Sequence, residues 1–298
     1  MPKRILVVAN KWFEVDPLIG LLGNAEGRGS AIRDFRVAAW PTEAGDAPQA
    51  KPRVTLTVGD GAVEVWCIQD LMNPKAEGGY SSTQEKARVM PEILTYGAAP
   101  SLIVAFGTAA TAPEDGLCNG CVSIGSRVFV FNPYAQDPSK SPSRWSDPSR
   151  MGEVVPSTIP VEFFAGLSRF DSPLRDIHAR FLTPLGLPAP DRVVFADHRG
   201  VAVSSVNVVD PKQYPVTDPA ALAAARAAGA SPIMSYESTH GVIRFLSEVP
   251  FVFVSGLTNR VGRFAEENMA FPYSQNFVAG HNAGLAVAWL LPLLVKSV

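Results

Sequence analysis

Three short stretches of this chain carry side chains that could do chemistry where backbone can also approach a ligand. Phe106-Gly107-Thr108-Ala109-Ala110 follows an apolar run with small residues, so main chain and one hydroxyl can come close to a bound molecule. Ser235-Tyr236-Glu237-Ser238 places a carboxylate, an acceptor-only group, at the start of an expected helix. Ser255-Gly256-Leu257-Thr258-Asn259 closes another apolar run with hydroxyls and an amide. In open α/β sheets ligands sit beyond the carboxyl ends of the strands, and all three stretches fall there. Each also has an ordinary structural explanation: a turn, an acid favoured by a helix dipole, and a strand terminator.

Other chemistries find no support. Cys118-Asn119-Gly120-Cys121 has redox or zinc-knuckle spacing, but extended chain follows it instead of a helix, and Cys67 alone cannot complete a zinc site. Gly27-Arg28-Gly29 has no strand before it and lacks the remaining glycine of a dinucleotide fingerprint. No nucleophile elbow and no P-loop are present. His178, His198, His240 and His281 show no two-ligand spacing. The expectation is therefore no metal and no organic cofactor.

The elements that must position the three stretches are read from apolar runs bounded by turn residues. Strands buried on both faces are expected at Arg4–Ala9, Leu102–Phe106, Arg192–Ala196, Val201–Val206 and Pro250–Ser255. More polar strands are expected at Val54–Val58 and Val63–Ile68. Ser82 and Glu85 have capping-box spacing for a helix to Tyr96 that Pro91 must kink or interrupt. Further helices are expected at Pro219–Ala228, stopping at Gly229, at Glu237–Leu246 and at Ser274–Leu294. This alternation predicts a single α/β domain over residues 1–298, a three-layer α/β/α sandwich around a twisted mixed sheet. Two Pro-rich stretches, Pro41–Pro52 and Asn132–Pro160, read as loop excursions.

Composition narrows the partners. The 298 residues carry 26 Lys+Arg against 28 Asp+Glu, a net charge of −2, which offers no basic surface for nucleic acid. Three cysteines are too few for a disulfide-stapled scaffold. The most apolar stretch, Ala283 to Val295, contains Pro292 and falls short of the roughly 20 residues that a membrane-spanning helix needs. The apolar run after Lys3-Arg4 ends at Asn10-Lys11, too early for a signal peptide. A cytoplasmic protein with a small-molecule substrate, and neither nucleic acid nor membrane as partner, is expected.

In order and spacing the three stretches resemble the purine nucleoside phosphorylase and nucleosidase superfamily, in particular its methylthioadenosine nucleosidase-like members. Val104–Ala110 followed by Leu117, Gly120 and Cys121 resembles the family's strand, Gly-Ser/Thr-Ala-Gly turn and following Gly-Asp. Tyr236-Glu237 is similar to its Met-Glu pair, and Val249–Asn259 to its last strand ending in Ser-Asp. Ile5–Ala9 and Glu14 resemble its first strand and first acid. The resemblance implies cleavage of the N-glycosidic bond of a purine-type ribonucleoside. Glu237 would accept from the ribose 2′- and 3′-hydroxyls, and Glu14 would orient or deprotonate a water. Gly107, Thr108 and Ala109 would face the ribose or the nucleophile, and Asn259 would sit at N7 of the base. Val208 and Val209 stand where the family presents an aromatic and an aliphatic residue to the purine, so an aromatic must come from Tyr236 or from the 132–160 loop. A homo-oligomer, most simply a dimer, is implied as well.

Two departures bear on the reaction. Asn259 stands where nucleosidases and hexameric phosphorylases have Asp; trimeric phosphorylases of 6-oxopurines use Asn there. Phosphate-clamping arginines are missing, with Val104-Ala105-Phe106 and Ser255 in their places, although Arg260 and Arg263 follow closely. Hydrolysis is therefore expected ahead of phosphorolysis, with phosphate the alternative co-substrate. A non-catalytic nucleoside binder and an unrelated α/β enzyme with a loop lid are the rival readings.

Overall fold

The computed structural model describes residues 2–26, 31–38, 50–112, 117, 119–141, 143–167, 193–269 and 272–298. In chain order its elements are β1 (Lys3–Ala9), α1 (Trp12–Ala25), β2 (Ile32–Val37), β3 (Val54–Val58), β4 (Gly61–Cys67), α2 (Thr83–Thr95) and β5 (Leu102–Thr111). There follow β6 (Val122–Gly125), β7 (Arg127–Phe131), β8 (Val154–Val155), α3 (Val161–Ala165), β9 (Val194–Ala196) and β10 (Val201–Ser205). The last are α4 (Tyr214–Ala227), β11 (Ile233–Glu237), α5 (His240–Phe245), β12 (Phe251–Arg260) and α6 (Pro272–Lys296). Cys118, His178, the Gly27-Arg28-Gly29 run and most of the 41–52 excursion lie outside the described residues.

The sheet is mixed and covered on both sides, as its composition requires. β1 runs parallel to β4 on one edge and to β5 on the other. Its continuous apolar run divides by parity: Ile5, Val7 and Ala9 pack with α1 and α6, while Leu6 and Val8 pack with Val89, Met90 and Ile93 of α2. Outward from β4, β3 and β2 form an antiparallel edge. On the far side, β10 runs parallel to both β11 and β7, and β8 closes that end. The expected sandwich and mixed sheet are what the chain forms.

α6 is longer than its sequence pattern implied. Gln275–Lys296 is long and apolar enough to cross a membrane, but 67% of its most apolar stretch is buried inside the fold. Leu290, Leu291 and Leu294 belong to the core it shares with α1. It also approaches β12 closely: a Cβ on Gly256 would fall 2.0 Å from the Ala279 carbonyl oxygen, so only glycine lets strand and helix meet there.

Several boundaries differ from expectation, each for a physical reason. The small residues after Phe106 do not form a turn: β5 continues to Thr111, because β12 pairs with it along its whole length. β12 likewise continues to Arg260, with a register shift between Leu257 and Asn259 that leaves Thr258 as an extra residue. Glu237 ends a strand, β11, instead of starting a helix, and the helix begins at His240. α4 begins at Tyr214 and carries Pro219 within it. α1, interrupted by Pro17, Gly20 and Gly23, had too irregular a pattern to be delimited from sequence.

Candidate active site

β5 changes partners along one edge. From Leu102 to Phe106 that edge is taken by β1. From the other direction β11 pairs with it antiparallel at one position, Tyr236 opposite Ala110. Between them, at Gly107, Thr108 and Ala109, no strand among the described residues covers the edge, and the carboxyl ends of β1 and β11 converge on the gap. A cleft of about 250 Å³ opens there, lined among others by Asn10, Lys11, Glu14, Gly107, Thr108, Ala109, Tyr236, Glu237, Thr258 and Asn259. The fork in the sheet thus brings the sequence-predicted residues together.

Glu14 fills the gap. Its Oε1 accepts from Thr108 N at 2.8 Å and Thr108 Oγ1 at 2.9 Å. Its Oε2 accepts from Lys11 N at 2.9 Å and Asn10 N at 3.1 Å, closing the first turn of α1. The residue is 4% exposed, and a Cβ on Gly107 would lie 3.0 Å from Oε1, so glycine makes room for the carboxylate. With its proton directed at Glu14, Thr108 Oγ1 is left with lone pairs that can accept a further hydrogen bond.

Glu237 faces Glu14 across the gap. Ser204 Oγ donates to Oε1, and Thr239 N together with His240 N, the latter at 2.8 Å, donate to Oε2. A carboxylate has about four acceptor sites, so capacity remains toward the cleft. Ser204 is itself fixed by Gly241 N, which donates to Ser204 Oγ at 2.7 Å. Ser255 is neutral and buried; its hydroxyl pairs with Ser235 Oγ at 2.9 Å.

Asn259 is 3% exposed. Its Nδ2 donates to the Arg260 carbonyl at 3.1 Å and its Oδ1 accepts from Thr258 Oγ1 at 2.7 Å. That carbonyl fixes which end of the amide is nitrogen, and the second N–H is left for the cleft. Arg260 points elsewhere: its guanidinium and backbone N–H are both held by Glu267. Arg263 pairs with Glu266 at 3.5 Å. Among the described lining residues Lys11 is the one lysine, and no arginine lines the cleft.

The remaining wall was not read from the sequence. Tyr214 and Asp218 stand one turn apart on the same face of α4, and Tyr214 meets Phe264 edge-on at 5.3 Å. The aromatic surface expected from Tyr236 or the 132–160 loop comes from Tyr236, these rings and Phe13, and no described residue of that loop lines the cleft. Tyr236 does line it, with its hydroxyl donating to Asp218 Oδ1 at 2.7 Å. Burial pushes the Asp218 carboxyl up to about 6, against the opposing pull of its bonds from Tyr236 and Thr217. Burial and the adjoining Asp218 push the Tyr236 phenol up as well. Val208 lines the cleft, whereas Val209 does not; it packs toward Gly78.

No protein-family model and no curated protein matches the sequence. Solved structures do match. The 5′-methylthioadenosine/S-adenosylhomocysteine nucleosidase of S. pneumoniae, held with a transition-state inhibitor, has a TM-score of 0.55 and 10% identity, covering 98% of this chain and 99% of that one. Futalosine hydrolase of Helicobacter pylori has a TM-score of 0.54 and 11% identity, covering 100% and 99%. The Neisseria meningitidis methylthioadenosine nucleosidase, in complex with methylthio-immucillin-A, has a TM-score of 0.53 and 13% identity, covering 97% and 99%. The chain has the fold of these nucleosidases from end to end.

Proposed function

We propose that this protein cleaves the N-glycosidic bond of a purine-type ribonucleoside, with water as the nucleophile. The observation that carries the reading is the convergence of Glu14–Thr108 and Glu237 on the gap in the edge of β5, with the unused N–H of Asn259 in the same cleft. Nucleosidases of the same fold, two of them crystallised with nucleoside-analogue inhibitors, add support.

In this reading Glu237 accepts from the ribose hydroxyls and fixes the sugar. As the C1′–N9 bond breaks, its electron pair passes to the purine and positive charge develops on the sugar. Asn259 donates to N7 and stabilises the leaving base, while Tyr214 and Phe264 flank the ring. The attacking water donates to Thr108 Oγ1, whose own proton already points at Glu14, so the water is oriented without exposing the carboxylate. The water oxygen bonds to C1′ as its proton passes to Thr108 Oγ1 and the Thr108 proton passes to Glu14; the departing purine then takes up a proton from Glu14 or solvent, so that free ribose and neutral base leave. Asp218, a carboxyl that exchanges its proton near pH 6, is placed to meet a polar edge of the base. The chemistry needs neither metal nor organic cofactor.

Water is favoured over phosphate because no arginine among the described residues lining the cleft offers a guanidinium to grip a phosphate through two parallel bonds. A panel of purine nucleosides, assayed for base release with and without phosphate, tests the reading. Base release with free ribose in phosphate-free buffer is expected. Strict phosphate dependence with ribose 1-phosphate as product would overturn hydrolysis, and tight nucleoside binding without base release would overturn catalysis.

A further inference from the structure

Lys86 is a cation with no place in the chemistry above and an expensive position. It is 1% exposed, on the inward face of α2 beside Val89 and Met90. Its Nζ donates to Ser238 Oγ at 2.9 Å and to the Ser238 carbonyl at 3.2 Å. Ser238 joins Glu237 to Thr239, and the N–H groups of Thr239 and His240 are the ones that hold Glu237 Oε2. Burial lowers the ammonium to about 8, with Lys11 acting in the same sense and the charges of Glu237 and Glu14 opposing it. A methionine would occupy similar volume without the desolvation cost, so packing alone does not account for a lysine here.

We propose that Lys86 is a positioning residue for Glu237: by clamping Ser238 from beneath the cleft, it sets the carboxylate's angle toward the sugar and supplies its balancing charge. This rests on the ribonucleoside reading for its consequence in catalysis, but the coupling between the two residues can be measured without a substrate.

The test has two arms. In protein labelled with [13Cε]lysine, the Lys86 resonance is identified by its loss in Lys86→Met and titrated in wild type and in Glu237→Gln. Its midpoint is expected near 8 in wild type. It should fall by about one unit in Glu237→Gln, where the opposing charge is gone. An unchanged midpoint would overturn the coupling. In the second arm, Lys86→Met should lower kcat/KM for a ribonucleoside about tenfold and for its 2′-deoxy analogue about twofold or less, since that analogue lacks one of the hydroxyls Glu237 holds. Equal losses on both sugars, or wild-type rates on both, would overturn the positioning role. Should the Met variant fail to fold, Lys86→Gln serves both arms. If wild-type protein turns over no nucleoside, the function reading fails on that result alone, and the titration decides the Lys86–Glu237 coupling.

Discussion

The two walls of the cleft are built from different materials. On the wall where β1 and β11 converge, Glu14 and Glu237 are held largely by main chain: five of the donors to them are backbone N–H groups, of Asn10, Lys11, Thr108, Thr239 and His240, and two more are the hydroxyls of Thr108 and Ser204. On the opposite wall, Asp218 is held by the side chains of Tyr236 and Thr217, with aromatic rings beside it. The first wall is set by strand ends and by the docked first turn of α1, not by interchangeable side chains. The second can be retuned by substitutions on one face of α4, and it holds the carboxyl that titrates near pH 6. In the reading proposed, the first wall fixes the sugar and the nucleophile, common to all ribonucleosides, and the second chooses the base.

The sharpest way to break that division is at Asn259. In Asn259→Asp burial and the Arg260 carbonyl, which Nδ2 now meets at 3.1 Å, favour the protonated acid, and its single proton turns from that carbonyl to N7 when a base is bound. A proton donor at N7 is commonly worth about 10²–10⁴ in rate, most for 6-aminopurines, which leave better once protonated. The ratio of efficiencies for adenosine-type over inosine-type nucleosides should rise accordingly, while the ratio of ribose to 2′-deoxyribose substrates stays put. An unchanged base ratio in two active proteins would mean that Asn259 does not touch the base.

Glu237→Gln probes the other wall. Loss of charge-assisted bonds to the sugar hydroxyls is worth roughly 1.5–3 kcal/mol, about ten- to a hundredfold in kcat/KM. Base preference should not move. Wild-type turnover of ribonucleosides by this variant would remove the sugar anchor from the site.

The smallest effect concerns stability. The folded Asp218 carboxyl releases its proton near 6, against an ordinary value of 3.8, so between these limits the folded state holds the extra proton. Stability therefore falls as pH rises through that window, and the cost is fully present above about 6. Asp218→Asn should remove it, stabilising the protein at pH 7.5 by about 1–2 kcal/mol and leaving little difference near pH 4. Chemical denaturation of both proteins at the two pH values measures this, and a variant less stable at pH 7.5 would place Asp218 among ordinary structural acids.

How much of this was legible in the sequence follows the same division. β1, the first half of β5 and β12 announce themselves as apolar runs buried on both faces; Thr108 and Asn259 follow the apolar parts of β5 and β12, and Glu14 comes shortly after β1. The other wall is written in residues that look solvated or structural in one dimension. Asp218 precedes a proline that read as a helix start, Tyr214 and Phe264 sit outside any motif, and Lys86 has the surroundings of a surface helix lysine. β11 was missed because it is short and ends in a glutamate. Val209 was misplaced because a resemblance carries a position along the chain but not the direction of its side chain.

Glu14 takes the place of a rung in the sheet. Among the described residues no strand pairs with the Thr108 N–H on that edge, and a side chain from α1 satisfies it. The amide's protection from exchange with solvent is thereby tied to the docking of a helix whose interior holds a proline and two glycines. When α1 opens, the β5 edge loses its cover and Glu14 separates from Thr108 in the same event. The lifetime of the assembled site is then the lifetime of that one docked helix, however stable the rest of the sheet.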